Sequence, residues 1–324
     1  MTRDRSSDVA APALAMTSKP LVSVILPAFN ASATLRSAVQ SVLDDGEREI
    51  EVIVVDDGST DASLDILRSI PDPRLRVIAQ TYNMGLPNAL NSGLEAARGR
   101  FVARMDADDV SLPGRFRAQM QAFAEDPDLV MCGTHAKLLD DASLSNPATH
   151  DYPVDPEDVR QEMWFRTAIL HPTTMFDRAR IPEASLFFTE SLQVRQDHEL
   201  FLRLMDLGSA RNLAKSYLIY RRHTAAVTVS KVHLQMKCRE IVMRKALEQR
   251  GVIFSPRELA AHLALCPRLP GEQADITVPP EDLLHWVERL FALRERLGIR
   301  NADTWSARLQ TIFAKRVRRS EYND

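Results

Sequence analysis

The chain has few cysteines and no CxxC pair. Cys132, Cys238 and Cys266 are its three cysteines among 324 residues, and they stand far apart in the sequence. This spacing excludes a disulfide framework and a zinc cluster of the CxxC type. Because a chain without disulfides suits a reducing compartment, we expect a cytoplasmic protein.

The chain also lacks a dominant charge and a long apolar run. Its 41 basic and 44 acidic residues give a formal net charge of −3, so no basic field attracts it to nucleic acid, and we expect no such partner. No run of about 18 apolar residues predicts a membrane-spanning helix. Residues 1–19 mix charged residues with serine and alanine and lack the apolar core of a secretory signal, so we predict a disordered tail there.

Short apolar runs alternate with helical patterns over residues 20–119. The runs Leu21–Leu26, Ile50–Val55, Leu75–Ala79 and Phe101–Met105 are predicted strands, and apolar residues at helical spacing separate them. Strands that are apolar on both faces and alternate with helices indicate a parallel sheet covered on both sides. The sequence therefore predicts an α/β fold, a doubly wound, Rossmann-like domain.

Polar residues follow each predicted strand, at the edge where ligands bind in such sheets. Four groups stand there: Pro27–Asn30, Asp56–Ser59, Asn83–Leu86 and Asp106–Asp109.

Two carboxylates, those of Asp106 and Asp108, stand two residues apart after the fourth strand. Mg²⁺ and Mn²⁺ take such oxygen ligands together with diphosphate oxygens. The alternative is that these acids are solvated or cap a helix. Asp57 is our choice for a ligand contact after the second strand, whereas Asp61 is expected to cap the next helix.

The order VSVILPAFN, VVDDGSTD, NMGLPNALNSGLEAARG and FVARMDADD resembles the start of the inverting glycosyltransferase family 2. The resemblance covers Pro20 to about Val229. It implies a GT-A fold, a nucleotide-sugar donor and a divalent metal, Mn²⁺ or Mg²⁺, held by the DxD carboxylates.

Carried over by residue, the resemblance implies that Asp106 and Asp108 serve as donor and metal acids and that Arg104 faces the diphosphate. Asn83 and Gly85 match an NxG turn near the nucleotide, with a glycine-shaped helix N-terminus as the alternative. The full set of implied nucleotide-sugar positions is Pro27, Ala28, Phe29, Asn30, Asp57, Asn83, Gly85, Arg104, Asp106, Ala107, Asp108 and Arg222.

The segment RQDHELFLR resembles the ED motif of the family, whose aspartate is the catalytic base. Asp197 is therefore the predicted base, since attack on the anomeric carbon needs a group that takes the acceptor's proton. Gln196 replaces the usual glutamate. In LIYRRHTAAVTVS, the resemblance implies that Arg222 neutralises the leaving group and that His223 completes the metal shell, with structural roles as the alternative.

Residues 20–232 are predicted to form the GT-A domain, with a nucleotide-sugar half over 20–119 and an acceptor half over 120–232. Residues 233–324 are predicted to form a helical C-terminal extension. An apolar stripe from Leu283 to Leu297 is expected to pack on the main domain. Peripheral contact with the inner face of the membrane, helped by the basic run Lys315–Arg319, stays open as an alternative.

The sequence thus predicts an inverting glycosyltransferase that moves a sugar from a nucleoside-diphosphate sugar, UDP-linked by the resemblance, to an acceptor hydroxyl. The acceptor is expected to be a glycan or a lipid-linked glycan of surface polysaccharide biosynthesis. One alternative is a scaffold that binds nucleotide sugars without turnover. Another is a nucleotidyltransferase or phosphohydrolase that uses the same acids and does not need Asp197. The absence of GxxxxGK counts against a P-loop enzyme.

Overall fold

A computed structural model describes residues 19–140, 149–222, 232–269 and 278–321. Its strands form one mixed sheet in the order β3-β2-β1-β4-β8-β6-β9-β5, with β7 paired to β6. Their bounds are β1 Val22–Ala28, β2 Ile50–Asp56, β3 Leu75–Ala79, β4 Phe101–Arg104, β5 Val110–Ser111, β6 Leu129–Asp140, β7 Thr149–His150, β8 Met175–Asp177 and β9 Ser209–Arg222. The predicted tail lies almost entirely outside the described residues.

The four predicted strands are confirmed as the parallel part of the sheet. β1 pairs in parallel with β2 on one side and with β4 on the other, and β3 pairs in parallel with β2. Every residue of β1 and β2 is buried, as expected for strands covered on both faces. The loops after β1, β2 and β4 consequently meet at one edge of the sheet.

The rest of the sheet is less regular than the sequence predicts. β8 joins β4 in antiparallel orientation, and β6 pairs in parallel with β9. The sequence pattern of the second half predicts two short strands, Leu129–Cys132 and Ala136–Leu139, but both are parts of one strand, β6. The register with β9 shifts between Thr134 and Ala136, yet pairing continues on both sides of that shift.

Helices cover the sheet and form the C-terminal extension. The sequence predicts extension helices over Leu234–Gln249, Pro256–Cys266 and Pro280–Leu297, and these three are confirmed, although the third ends at Ala292. A fourth helix, Ala302–Glu321, follows them and was not predicted. The bounds are α1 Leu35–Leu43, α2 Ser63–Arg68, α3 Leu86–Ala96, α4 Arg115–Glu125, α5 Pro156–Met163, α6 Gln196–Leu204, α7 Val232–Gln249, α8 Pro256–Leu265, α9 Pro280–Ala292 and α10 Ala302–Glu321.

The C-terminal helices share a core with the sheet domain. Leu283, Trp286 and Leu290 of α9 are buried in a cluster that also contains residues of α5 and α6. The Trp164 indole, just after α5, donates a hydrogen bond to the Leu297 carbonyl at 3.2 Å. The expected packing is thus seen for the inner face of α9, while Leu284 and Phe291 on that helix stay exposed. In the described part of the chain, no helix is long and apolar enough to cross a membrane.

Candidate active site

The loops after β1 and β2 are joined by hydrogen bonds. Asn30 lies in the left-handed region at φ 50°, and its side-chain oxygen accepts from the Thr60 amide at 2.8 Å. The Ser32 amide donates to the Asp61 carboxylate at 3.0 Å. The same carboxylate accepts from the amide of Ser63, the first residue of α2, as a helix-capping acid does. These bonds hold both loops in one arrangement.

Asp57 fixes the NxG turn. One of its carboxylate oxygens accepts from the Met84 amide at 2.7 Å and the other from the Gly85 amide at 2.9 Å. Gly85 itself is the N-cap of α3, at φ 92°. The turn therefore has the helix-starting role that we gave as the alternative for Gly85. A direct contact of Asp57, Asn83 or Gly85 with a nucleotide stays a prediction.

The remaining β1 positions lie at the same edge. Pro27 and Ala28 are the last residues of β1, paired with the last residues of β2. Phe29 follows them with 47% of its surface exposed, and Asn83 across the loops is exposed as well. An exposed aromatic ring beside ordered loops offers a flat apolar surface to a planar ligand.

Three carboxylates converge where β4 ends. One oxygen from each of Asp106, Asp108 and Asp109 lies within 4.8 Å of the others. Asp109 is buried, and its Oδ1 accepts from the Arg221 amide of β9 at 3.0 Å. Its Oδ2 has no hydrogen-bond partner among the described residues. This arrangement fits a hard divalent cation, which takes several carboxylate oxygens.

The sequence predicts Asp106 and Asp108 as the metal acids and includes Asp109 only in the polar group after β4. A turn between β4 and β5 brings its carboxylate to the other two. The sequence signal was the third acid in DADD. Burial, with the neighbouring charges of Asp106 and Asp108, raises the pKa of Asp109 to about 9. A carboxyl with so high a pKa is a group whose charge needs a compensating cation.

Arg104 is buried and holds Asp106 by two hydrogen bonds, one from each terminal guanidinium nitrogen. Arg104 and Asp106, both predicted to bind the nucleotide sugar, thus form an ion pair. Burial raises the pKa of Asp106 and the Arg104 charge opposes that rise. The guanidinium stands beside the cluster, and its contact with a diphosphate stays a prediction.

Asp197 lies in the first turn of α6, close enough to the cluster for its charge to act on Asp106. Its Oδ1 accepts from the His198 amide at 2.8 Å. Its charge adds to the effects that raise the pKa of Asp106, and burial raises the pKa of Asp197 itself against the nearby Arg195 and Arg104 charges. Asp197, Arg104 and Asp106 are therefore electrostatic neighbours, as a base beside a donor site would be.

The α6 N-terminus is anchored to the C-terminal extension. Arg195 is its N-cap at φ 61°, an unfavourable conformation for a long side chain, and its Nε donates to the Gln235 carbonyl of α7 at 3.0 Å. Gln196 is buried, and its Oε1 has no hydrogen-bond partner among the described residues.

Glu199, two residues beyond the predicted base, has a structural role. Its buried carboxylate accepts from the Thr189 hydroxyl at 3.0 Å, from Arg203 and from the Lys245 ammonium at 2.7 Å. Although burial raises the pKa of Glu199, hydrogen bonds from Arg203 and Lys245 bring that pKa below its ordinary value. This acid ties α6 to α7.

His171 and Tyr220 also lie close to the site, in two segments that resemble family segments near the acceptor and the diphosphate. His171 is buried, its Nε2 has no hydrogen-bond partner among the described residues, and burial with the Arg104 charge lowers its pKa well below the ordinary value. Burial and the charges of Asp106 and Asp109 raise the pKa of Tyr220. In the sequence, His171 begins the HP pair of ILHPTTMF, and Tyr220 begins YRRH in LIYRRHTAAVTVS.

Two residues of the predicted site, Arg222 and His223, lie at and just beyond the end of β9 in the sequence. Arg222 is the last residue of β9, in register with Asp140 at the end of β6. Only its backbone is described. His223 lies outside the described residues, so its predicted part in the metal shell stays a prediction.

The fold is that of the GT-A glycosyltransferases. S. aureus TarS 1-349 in complex with UDP-GlcNAc aligns with a TM-score of 0.59 at 19% identity, over 92% of each chain. The mannosyltransferase PcManGT from Pyrobaculum calidifontis, in complex with GDP-Man and Mn²⁺, aligns with a TM-score of 0.56 at 17% identity, over 99% of this chain and 91% of that one. At such low identities the likeness establishes the fold.

The chain belongs to glycosyl transferase family 2, whose match covers residues 23–193. The family and the fold that the sequence predicts are thus both confirmed.

Similar curated proteins agree with this family. An uncharacterized glycosyltransferase of Haemophilus influenzae is 30% identical over 63% of this chain and 66% of its own length. The hyaluronan synthase of Pasteurella multocida is 26% identical over 72% of this chain and 24% of its own length. The Escherichia coli protein UDP-Glc:alpha-D-GlcNAc-diphosphoundecaprenol beta-1,3-glucosyltransferase WfaP is 27% identical over 76% of this chain and 90% of its own. The chain thus spans just under two thirds of the first relative and about a quarter of the second.

Proposed function

We propose that this glycosyltransferase moves a sugar from a nucleoside-diphosphate sugar to an acceptor hydroxyl in a single inverting displacement. The observation that carries the proposal is the position of Asp197, which lies close enough to the cluster of Asp106, Asp108 and Asp109 for its charge to raise the pKa of Asp106. A donor-binding acid cluster with a base near it supplies the groups that such a displacement requires.

The donor is proposed to lie over the loops after β1, β2 and β3. The hydrogen bonds of Asn30 and Asp57 fix these loops before any ligand binds, so little ordering entropy is lost on binding. Phe29 is exposed beside them for contact with the base. A UDP-linked donor is supported by the names of two similar proteins, the TarS complex with UDP-GlcNAc and the UDP-Glc enzyme WfaP.

A divalent metal, Mn²⁺ or Mg²⁺, is proposed as the cofactor. Asp108 and Asp109 would hold it, with Asp106 beside them in its pair with Arg104 and His223 as a further proposed ligand. The buried Oδ2 of Asp109, which has no hydrogen-bond partner among the described residues, supports this assignment. When bound, the ion offsets the negative charge of the diphosphate leaving group. The Mn²⁺ in the similar PcManGT complex agrees with the choice.

Asp197 is proposed to take the proton of the acceptor hydroxyl as that oxygen attacks the anomeric carbon. Its raised pKa makes it a stronger base than an exposed aspartate, while Arg195 and Arg104 favour its charged form. Attack from the side opposite the diphosphate inverts the configuration at carbon. Arg222 is proposed to stabilise the charge that develops on the leaving group.

We further propose the division into a nucleotide-sugar half over 20–119, an acceptor half over 120–232 and a helical extension over 233–324. The acceptor is proposed to be a glycan or a lipid-linked glycan, as the WfaP name suggests. The protein is proposed to act in the cytoplasm, with peripheral membrane contact through the C-terminal helices.

The test is a titration of nucleoside-diphosphate sugars with and without Mn²⁺, followed by thermal stability and by slow donor hydrolysis. One donor should stabilise the wild type in a metal-dependent way, Asp108→Ala should lose this stabilisation, and Asp197→Ala should bind but no longer hydrolyse the donor. Stabilisation without hydrolysis in the wild type would favour a binding scaffold. Hydrolysis that persists in Asp197→Ala would remove Asp197 as the base and favour a nucleotidyltransferase or phosphohydrolase.

A further inference from the structure

The loop that carries the acid cluster of Asp106, Asp108 and Asp109 lies between two strands, outside their regular pairing. β4 ends at Arg104 and β5 begins at Val110. Within the loop, the Asp109 amide donates to the Asp106 carbonyl at 3.4 Å, a long hydrogen bond. The positions of the cluster carboxylates therefore depend on what else holds this main chain.

A hydroxyl from α1 holds the middle of the loop. Thr34, the N-cap of α1, donates from its side chain to the Ala107 carbonyl at 2.9 Å. The Ala31 carbonyl is a second acceptor at 3.5 Å, so the bond to Ala107 is the stronger one. Ala107 is also buried in one apolar cluster with Leu35 of α1 and Phe116 of α4. Packing and hydrogen bonding thus act on the same residue of the loop.

Arg115 of α4 holds the last carbonyl of β4. Its Nη2 donates to the Arg104 carbonyl at 2.8 Å, and its side chain is fully buried. Its Nε donates to the Gln119 side-chain oxygen at 3.2 Å, which orients the guanidinium. Burial lowers the pKa of Arg115 to about 10, and the charges of Asp45 and Asp109 oppose that fall. The guanidinium is therefore charged at neutral pH and lies close to the cluster.

Arg221 of β9 supplies a third anchor. Its Nε donates to the Asp108 carbonyl at 3.2 Å, while its amide donates to the Asp109 carboxylate at 3.0 Å. Side chains from α1, α4 and β9 consequently hold the carbonyls of residues 107, 104 and 108. Because Arg221 stands beside Arg222, which is proposed to bind the diphosphate, Thr34 and Arg115 give the clearer tests of these anchors.

We propose that Thr34 and Arg115 are positioning residues for the metal, which hold the acid loop in its metal-binding geometry before the ion arrives. Neither side chain needs to touch the ion or the substrate, since each acts through a main-chain carbonyl. A loop that is already ordered loses less conformational entropy on binding, and residues behind metal ligands commonly contribute about 10- to 100-fold to metal affinity. The inference rests on the proposed metal function of the acid cluster.

The first test compares Thr34→Val with Thr34→Ser in the full chain. Mn²⁺ is titrated calorimetrically at a fixed concentration of UDP, and a protein-free titration into UDP is subtracted. Thr34→Val keeps the shape but loses the hydroxyl, so the Kd for Mn²⁺ should rise by about three- to tenfold. Thr34→Ser keeps the hydroxyl and should stay within about twofold of the wild type. An unchanged Kd in Thr34→Val, or an equal loss in both variants, would overturn the proposal.

A threonine outside the site is the control for this pair. The Thr311 hydroxyl also donates to a main-chain carbonyl, that of Ala307 in α10, at 2.8 Å. Thr311→Val should change the Kd for Mn²⁺ by less than about twofold. An effect as large as that of Thr34→Val would show that loss of any such hydroxyl weakens metal binding, which contradicts a specific role for Thr34.

The second test compares two arginines that hold main-chain carbonyls. The Arg160 guanidinium donates to the carbonyls of Met205 and Gly208, at the opposite end of β9 from Arg221. Arg115→Lys and Arg160→Lys should both lower the thermal unfolding temperature in EDTA, because a lysine keeps the charge but not the fork of hydrogen bonds. Only Arg115→Lys should raise the Kd for Mn²⁺, by at least about tenfold.

A merely structural role for Arg115 predicts lower stability with unchanged metal affinity, and that result would overturn its assignment. If Arg115→Lys does not fold, the Thr34 variants decide alone. Wild-type protein that binds no Mn²⁺ with UDP present would overturn both the metal site and this inference. Wild-type binding that Thr34→Val and Arg115→Lys retain unchanged would leave the metal site standing and sink this inference alone.

Discussion

Two regions of the proposed site differ in how many of their polar groups have hydrogen-bond partners. The first is the proposed donor loops, those after β1, β2 and β3. The second is the pocket formed by the acid cluster, Arg104 and Asp197. In the loops, Asn30, Asp57 and Asp61 all use side-chain oxygens to accept backbone amides. Around the pocket, several buried polar atoms have no hydrogen-bond partner among the described residues. These atoms are Arg104 Nε, Asp109 Oδ2, His171 Nε2 and Gln196 Oε1.

The side chains of the loops supply hydrogen-bond partners for the loop backbone, whereas several buried atoms around the pocket need partners from a ligand. Buried polar groups are nearly always hydrogen-bonded, and each one left alone costs about 1–3 kcal/mol. At the end of β2, the buried Asp56 Oδ1 also has no hydrogen-bond partner within the described part of the chain. A metal, a diphosphate and an acceptor would supply partners for the atoms around the pocket.

The largest effect is expected on the pocket side, from Asp197→Asn. This change keeps the shape and the bond from the His198 amide but removes the base. Transfer should fall by about 10²- to 10⁴-fold, the usual contribution of a general base, with the donor's Kd unchanged. Initial rates and donor titration measure the two quantities. Glu190→Gln, an exposed acid on the segment before α6, is the control and should be neutral.

The pH profile sharpens the same assignment. Burial raises the pKa of Asp197 above its ordinary value, against the Arg195 and Arg104 charges and beside Asp106. Because a base must be deprotonated, kcat/KM should fall as the pH drops through that raised pKa. Removing a nearby cation by Arg195→Met should move the acid limb to higher pH. An acid limb that stays in place in Arg195→Met would contradict the assignment of that limb to Asp197.

On the donor side, a pair of glycines tests how tightly the loops are packed. Gly58 lies at φ 73°, and a Cβ there would stand 2.5 Å from the Tyr82 carbonyl carbon. Gly114 has a similar φ of 80° with nothing within 4 Å of such a Cβ. Gly58→Ala should cost about 2–4 kcal/mol of unfolding free energy, from backbone strain plus the clash, and Gly114→Ala about 1–2 kcal/mol from strain alone.

Urea denaturation measures both glycine variants, and donor titration follows. Only Gly58→Ala should also weaken donor binding, since it displaces the turn held by Asp57. Similar losses of stability in the two variants would mean that the loops after β2 and β3 yield easily and are not preorganised.

The sequence was sufficient for the parts of the fold and site that depend on local pattern. The β-branched runs of β1 and β2 alternate with helical spacing, and a parallel sheet is the arrangement that buries both faces of such runs. That topology brings the residues after β1, β2 and β4 to one edge without further information. Asp106 and Asp108 could be placed there for this reason.

What the sequence could not show depends on partners far away along the chain. The pairing of Asp109 with the Arg221 amide spans 112 residues. Arg308 of α10 donates from Nε to the Gln161 side-chain oxygen of α5 at 3.2 Å, across 147 residues. The contact of these two helices is decided by packing of the whole extension and not by a motif.

A smaller effect is expected from Asp109→Asn, which tests whether the pocket is completed by a metal. The amide keeps an oxygen for the Arg221 amide, and since the pKa of Asp109 is raised to about 9, the carboxyl it replaces is mostly uncharged at neutral pH without a metal. Stability should therefore change by less than about 1 kcal/mol. The Mn²⁺ concentration for half-maximal activity should nonetheless rise at least about tenfold, because a carboxylate ligand is lost. An unchanged metal requirement would leave Asp109 with only the role of fixing β9.

The smallest effect concerns Glu199, which the sequence alone leaves ambiguous between a chemical and a structural role. Lys245→Met removes one of its partners, but Arg203 and Thr189 still satisfy the buried carboxylate. Because Lys245 is itself partly exposed, the loss should be about 1 kcal/mol or less, with kcat unchanged.

Arg244→Met is the matched control on the same helix. Its pair with Glu240 is exposed on both sides, so its loss should be below about 0.5 kcal/mol. A fall in kcat in Lys245→Met that Arg244→Met does not share would mean that the link between α7 and α6 sets the position of Asp197. The C-terminal extension would then help to position the proposed base. The donor loops, in contrast, are held in place by their own hydrogen bonds.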